Sequence, residues 1–341
     1  MTVHHHYQVY QLQLASDRSL PALPPGVAGR LPDLTWHWND QRSRQLDNEL
    51  AWYEESSRLL DDRREAIRLY RAAAPAGEYL RLSVVIDREH RDRTIDIVMS
   101  PQIRDVWIRS SPEVKNSDAE SILLNLGLGC MLRLRGVVCL HGNTVVIGDR
   151  AVTILGPKTA GKSTMAAELI RGGARLLADD IAALTPQGTT TLVEPGYPRL
   201  RLWPKSLEGW HHDYADLPLV LTGCPKRSVP VDAGWPSDAE SWGGFCPQAM
   251  PLAVIYVLGR RDAPDTMPAI TPMPPQESMR ALAANTYAGY VVTESGRRQE
   301  FAALARLAST IPIRRLQRPN DLSRLPELSR LVMADLEEHS A

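Results

Sequence analysis

Residues 156–163 read Gly-Pro-Lys-Thr-Ala-Gly-Lys-Ser, and the types and spacing suit a loop that holds phosphate. Gly156 and Gly161 let backbone N–H groups turn inward, with Lys158, Thr159 and Ala160 between them. Lys162 can reach the β- and γ-phosphates, the Ser163 hydroxyl can bind Mg²⁺, and Thr164 continues into the following helix. Seventeen positions after Lys162, an apolar run ends in Asp179-Asp180. A carboxylate at the end of a buried strand beside such a loop can hold the Mg²⁺ that bridges two phosphates. Neighbouring strand residues alternate sides, so one aspartate can face the metal and the other an incoming nucleophile. A hydroxyl nucleophile needs a proton acceptor within about 3 Å. Alternatively, one of the pair caps the turn after its strand.

These groups need elements to position them. Ala151-Val152-Thr153-Ile154-Leu155 reads as a buried strand, residues 164–171 as a helix, and Gly172-Gly173 as its stop. Strand, loop and helix together put a phosphate at a helix N-terminus. Upstream, residues 137–140 and 144–147 read as short strands flanking His141-Gly142, and a turn at 148–150 makes a hairpin into the loop strand. Downstream, residues 175–178, 190–193 and 253–258 read as strands, and Val229-Pro230-Val231 as an edge strand because proline lacks an N–H. Residues 278–288, 300–309 and 325–338 read as helices, the last with Pro326 in its first turn.

The first ~115 residues read as a separate α+β layer. Residues 7–14 alternate as a strand. Residues 39–74 carry opposite charges at helical distances, such as Glu54 with Arg58, and suggest one or two exposed helices. Alternating Leu80, Leu82, Val84 and Ile86, then Ile95, Ile97 and Met99, then Val106-Trp107-Ile108, suggest an antiparallel meander. Ser117-Asp118-Ala119-Glu120 carries an N-cap signal for a helix ending near Gly136. The expected division is an N-terminal α+β region over 1–115, a catalytic domain over 116–315 and a C-terminal helix over 316–341.

The chain has 341 residues and a formal net charge of −1 with both signs mixed, which disfavours nucleic acid as a partner. Only five lysines occur, two of them in the loop, and codon bias toward arginine accounts for the skew. Cys130, Cys139, Cys224 and Cys246 form no metal-ligand spacing and suit a reducing compartment. No apolar signal segment follows His4-His5-His6, and Arg133 and Arg135 interrupt the most apolar stretch. A cytoplasmic protein with no membrane partner is the expectation. His211-His212 show no metal spacing, and Trp203, Trp210, Trp235 and Trp242 lie in a loop-rich stretch that packs on the surface or forms a lid.

Leu140-His141-Gly142, the loop, and Leu177-Ala178-Asp179-Asp180 at this short spacing resemble the HPr serine kinase/phosphorylase family. The resemblance is strongest over residues 123–184 and weakens toward 254–258. It implies an α/β fold with a P-loop kinase core of the HPr kinase/phosphoenolpyruvate carboxykinase type, with ATP and Mg²⁺ as cofactors. It further implies that Lys162 neutralises the transferring phosphoryl group and that Ser163 and Asp180 hold Mg²⁺. Asp179 would then be the base, with His141 beside it as its orienting group. Glu194 stands where a further metal ligand could lie. Arg199 and Arg201 either clamp phosphate or cap strands. The Glu-Ile-Arg-Gly type segment of bifunctional members is missing, which tells against phosphorylase activity and against HPr as substrate.

The resulting expectation is an ATP-dependent serine kinase acting on a peptide or protein, with a ribosomal (lasso) peptide precursor as the leading acceptor. The alternatives are an HPr-type protein kinase, a small-molecule kinase, and a non-catalytic nucleotide-dependent regulator. The absence of Asn-Lys-x-Asp speaks against a guanine-reading switch. Because the family includes hexamers, a homo-oligomer is also expected.

Overall fold

The computed structural model describes residues 4–38, 41–60, 64–86, 93–208, 214–231, 244–263 and 266–338. In the first unit, Met1–Arg135, a mostly antiparallel sheet dominates. β1 (His5–Val9) and β2 (Leu12–Ser16) form a hairpin where one strand was expected. Tyr10 and Gln11 take φ of 48° and 63°, which reverses the chain between them. β3 (Leu34–His37) and α1 (Gln41–Glu49) follow. Then come β4 (Tyr53–Leu60), β5 (Arg64–Ala74), β6 (Gly77–Val85), β7 (Thr94–Met99) and β8 (Asp105–Ser110). The strand order is β1-β2-β3-β8-β7-β6-β5-β4.

The meander β6–β7–β8 is as expected, but the helical reading of 39–74 is corrected, since among the described residues there only α1 is helical and β4 and β5 are strands. Other charges of the stretch bond across strands. Arg71 on β5 reaches Glu55 on β4 at 2.6 Å and also pairs with Glu78 on β6. Ile67 and Leu69 share its buried face. Sheet pairing overrides the local helix preference of such a stretch. The unit ends in α2 (Asn116–Ile122), a π-helical turn (Leu123–Gly127) and α3 (Leu128–Leu134). Lys115, not Ser117, occupies the N-cap, without a side-chain bond. This helical run groups with the first unit, whereas the sequence reading put it with the catalytic domain.

The second unit, Gly136–Ala341, is built on a sheet that closes on itself. β9 (Val138–Ile147) is one continuous strand through His141-Gly142, not two. Gly142 is required there, because a Cβ would lie 2.7 Å from the Ile154 carbonyl and 2.6 Å from Leu155 Cδ2. β10 (Arg150–Leu155) leads to α4 (Lys162–Arg171), then β11 (Arg175–Ala178), β12 (Ile181–Gln187) and β13 (Thr190–Val193). β14 (Arg199–Leu202), α5 (Pro204–Leu207), β15 (Leu219–Leu221) and β16 (Cys224–Pro230) make a small separate layer. β17 (Met250–Asp262), β18 (Ala269–Pro272), α6 (Pro275–Ala284), α7 (Glu294–Thr310), β19 (Ile313–Pro319) and α8 (Leu325–Glu338) complete the unit.

Pairings run β10-β9-β12-β13-β17 and return by a parallel β17–β10 contact, with β19 and β18 beyond β17. β10 shows why a buried strand reads as a continuous apolar run. Val152 and Ile154 face a core shared with Met165 and Leu169 of α4 and Leu328 of α8. Ala151 and Leu155 face the other core, with Leu282 of α6 and Leu304 of α7. α8 is also anchored by Asp335, which accepts from Tyr256 Oη and pairs with Arg314. Leu328, Val332 and Leu336 supply its apolar face to the core that holds Val152 and Ile154.

The expectation of an edge strand around Pro230 is corrected in part. β16 is the middle strand of its three, in the order β14-β16-β15. β15 pairs only with Arg227 and Cys224, so Pro230 at the far end meets β14 alone and its missing N–H breaks no ladder bond there. Trp210, Trp235, Trp242, His211 and His212 lie outside the described residues. Among the described residues, no helix is long and apolar enough to cross a membrane.

Candidate functional site

The loop between β10 and α4 has the backbone its sequence demands. Gly156 and Gly161 take φ of 151° and 94°, and Thr159 takes 65°. α4 begins at Lys162, so the free N–H groups of its first turn face the loop. Lys162 is buried, and its ammonium donates to the Gly156 carbonyl at 2.9 Å. Burial lowers its pKa, against the opposing pull of Asp180. Asn285, at the C-cap of α6, ties two parts of the site together: its Oδ1 accepts from Gly156 N at 3.2 Å, and its carbonyl accepts from His141 N at 2.6 Å.

The acidic pair does not alternate across a strand as expected. β11 ends at Ala178, Asp180 takes φ of 63°, and Ile181 N donates to the Asp179 carbonyl at 2.8 Å. Aspartate is one of the few side chains that tolerates this left-handed region. The tight turn aims both carboxylates at one guanidinium. Arg201 Nε lies 2.8 Å from Asp179 Oδ2, and its terminal nitrogen 2.7 Å from Asp180 Oδ2. Arg201 therefore clamps the two aspartates, and it also lines the cleft.

The two carboxylates sit in different surroundings. Asp179 has only 3% of its side chain exposed and accepts from Asn143 Nδ2, from Ser163 Oγ at 3.4 Å and from Arg201 N at 3.2 Å. Burial raises its pKa against the charge of Arg201. Asp180 keeps 23% of its side chain exposed and lines the cleft. Burial pushes its carboxyl up, but Arg201, His141, Lys226 and Lys162 outweigh that and hold it below the usual range. His141 was expected beside Asp179. Its ring instead interacts with Asp180, while burial, Lys162 and Arg201 lower its pKa. The neutral imidazole is thereby favoured, with the Tyr287 ring 5.8 Å away.

A cleft of about 930 Å³ gathers these groups, lined among others by His141, Lys158, Lys162, Ser163, Thr164 and Asp180. Glu194 is not drawn into it: it is buried, with its N–H on the Ala183 carbonyl. Among the described residues, no group of three or more His, Cys, Asp or Glu could hold a metal ion. The place of Glu194 outside the cleft lining gives its reading as a further metal ligand no support. Ser163 beside Asp179 still suits Mg²⁺, which takes one or two protein oxygens and fills the rest of its shell with phosphate and water.

Sequence reasoning missed Asn143 and Asn285. The signal for Asn143 was a non-apolar stretch, His141 to Thr144, inside a strand apolar at both ends, and the structure buries Asn143 fully. Asn285 had no such signal, because its role depends on where α6 ends against β9.

No protein-family model matches the chain, and no curated protein matches it. Among solved structures, it is similar to that of the Hpr(Ser) kinase/phosphatase from Coxiella burnetii, with 14% identity and a TM-score of 0.33, over 60% of this chain and 99% of that one. A likeness at that level leaves the loop, its strand and its carboxylates as the basis for a functional reading.

Proposed function

We propose that the protein is a phosphotransferase that moves the γ-phosphoryl group of ATP to a serine hydroxyl of a peptide or protein. The observation that carries this reading is the convergence, at the start of α4, of Lys162, Ser163 and an Arg201-clamped aspartate pair of unequal exposure. The loop N–H groups and Lys162 would bind the nucleotide phosphates. Ser163 and Asp179 would hold Mg²⁺, which neutralises charge on the phosphates when bound.

The roles of the two aspartates are exchanged relative to the family resemblance. Support for Asp179 on the metal side is its contact with Ser163 Oγ. Support for Asp180 as proton acceptor is its exposure to the cleft beside His141. In the reaction, the serine oxygen bonds to the γ-phosphorus as the bond to the β–γ bridging oxygen breaks. The hydroxyl proton passes to Asp180, and ADP leaves with the bonding electrons. The residues work by placing and neutralising charge in advance.

The test is mass spectrometry after incubation with ATP, Mg²⁺ and candidate acceptors, including an HPr-type protein and serine-ending lasso-type precursor peptides. A gain of about 80 daltons, one phosphoryl group, on a serine is the expected result. ATP bound but no phosphate transferred to any acceptor overturns the reading and favours a nucleotide-dependent regulator.

A further inference from the structure

Lysine is scarce in this chain, with five among its 39 basic residues. Four of the five, Lys158, Lys162, Lys205 and Lys226, line the one cleft at the start of α4. The loop motif accounts for the first two. Lys205 and Lys226 come from elements far from the loop in sequence, the short α5 and β16. Codon bias explains why lysines are few, but not why the fold gathers them here.

Neither Lys205 nor Lys226 has a carboxylate within ion-pair distance among the described residues. Lys226 Nζ lies 5.6 Å from the centre of the Trp203 ring, itself 42% exposed at the cleft edge. Trp203 and Lys205 are tied to the start of α4, because Ser206 and Thr164 share a hydrogen bond of 2.9 Å. The field of Lys226 reaches Asp179, Asp180 and Lys162. It therefore borders the carboxylate pair. The loop itself has other cations around it: Arg261 Nη2 donates to the Thr159 carbonyl at 3.3 Å, and an Arg318 nitrogen lies 3.4 Å from the Cβ position of Gly161. Nucleotide phosphates at the loop would thus be met by Lys162, Arg261 and Arg318. Gathering further unpaired ammonium groups costs free energy through mutual repulsion unless an anion joins them.

We propose that the acceptor carries an anionic group, a carboxylate or a phosphate ester, next to its reacting hydroxyl, and that Lys226, supported by Lys205 and the Trp203 face, reads it. This rests on the phosphotransferase reading above and adds the chemistry by which that site selects its acceptor. A compact, strongly hydrated ammonium suits an anion of variable geometry, where an arginine fork would demand a bidentate one. Lys226 is a specificity residue here, so its loss acts on KM for the acceptor more than on kcat.

The test uses serine peptides of one length that differ only beside the serine, bearing Asp, phosphothreonine, Asn or Lys, with ATP and Mg²⁺. The expected result is at least a tenfold higher kcat/KM for the acidic peptides than for the Asn peptide, and less again for Lys. Preference between Asp and phosphothreonine separates carboxylate from phosphate. Lys226→Glu should invert the order and Lys226→Ala should level it, with ATP affinity by calorimetry unchanged within a factor of three. Lys205→Glu is a second probe and should shift the order in the same direction. Equal rates on all peptides, or an acidic preference that survives both Lys226 variants, overturns this proposal alone. ATP binding without transfer to any peptide overturns the peptide-kinase reading and this proposal with it.

Discussion

Arg71 in the first unit and Arg201 in the second make the same contact in opposite surroundings. Each is a buried arginine held by two carboxylates, and in each the carboxylates outweigh burial and raise the guanidinium pKa. The partners of Arg71, Glu55 and Glu78, are 40% and 45% exposed, so water solvates their charge. Asp179 and Asp180 are 3% and 23% exposed, so Arg201 is their main counter-charge. The first arrangement joins three strands and has no further capacity. The second holds two like charges close together beside a cleft, which is stable only while positive charge stays among them. Burial of the anion, not the presence of an ion pair, separates the two clamps.

Six variants can break or sharpen this contrast. The largest effect is expected from Lys162→Ala, which should remove ATP binding by calorimetry and lower transfer by about a thousandfold or more. Asp180→Asn should keep ATP binding yet lower transfer by about a hundredfold to ten-thousandfold, the range for losing a positioned base. If Asp179→Asn shows that pattern and Asp180→Asn does not, the exchange of roles is wrong. Arg201→Met should cost about 3–5 kcal/mol in urea denaturation, because it strands buried carboxylates. Asn143→Ala should leave the fold intact but reduce transfer about 10- to 100-fold, as expected for a group that orients a metal-side ligand. Arg71→Met should cost no more than about 1 kcal/mol, since its partners face water. A loss there equal to that of Arg201→Met would end the comparison.

Legibility followed the range of the interactions. The strand, loop and helix around Lys162 could be read because each residue's role is local: glycine for positive φ, apolar residues for a strand buried on both faces. The meander of β6, β7 and β8 was legible through period-two alternation. β4 and β5 were not, because opposite charges at helical distances do not exclude a strand, and the contacts of Arg71 to β4 and β6 exist only once the sheet has formed. The pair Asp179-Asp180 was visible as chemistry, but its orientation was misjudged, since the rule of alternation holds inside a strand and the strand stops one residue too soon. Asn285 was invisible because its two bonds join segments more than a hundred residues apart.

The amino-acid sequence by itself determined the loop, its lysine and serine, and the presence of two carboxylates a short helix away. Those follow from local backbone freedom and side-chain chemistry, which a neighbour far along the chain cannot change. Tertiary structure alone decided which aspartate meets Ser163, that Arg201 holds both, and that Lys205 and Lys226 join the loop lysines. Burial and through-space charge depend on residues brought together by the closing of the sheet. Residue spacing along the chain carries no record of that closure.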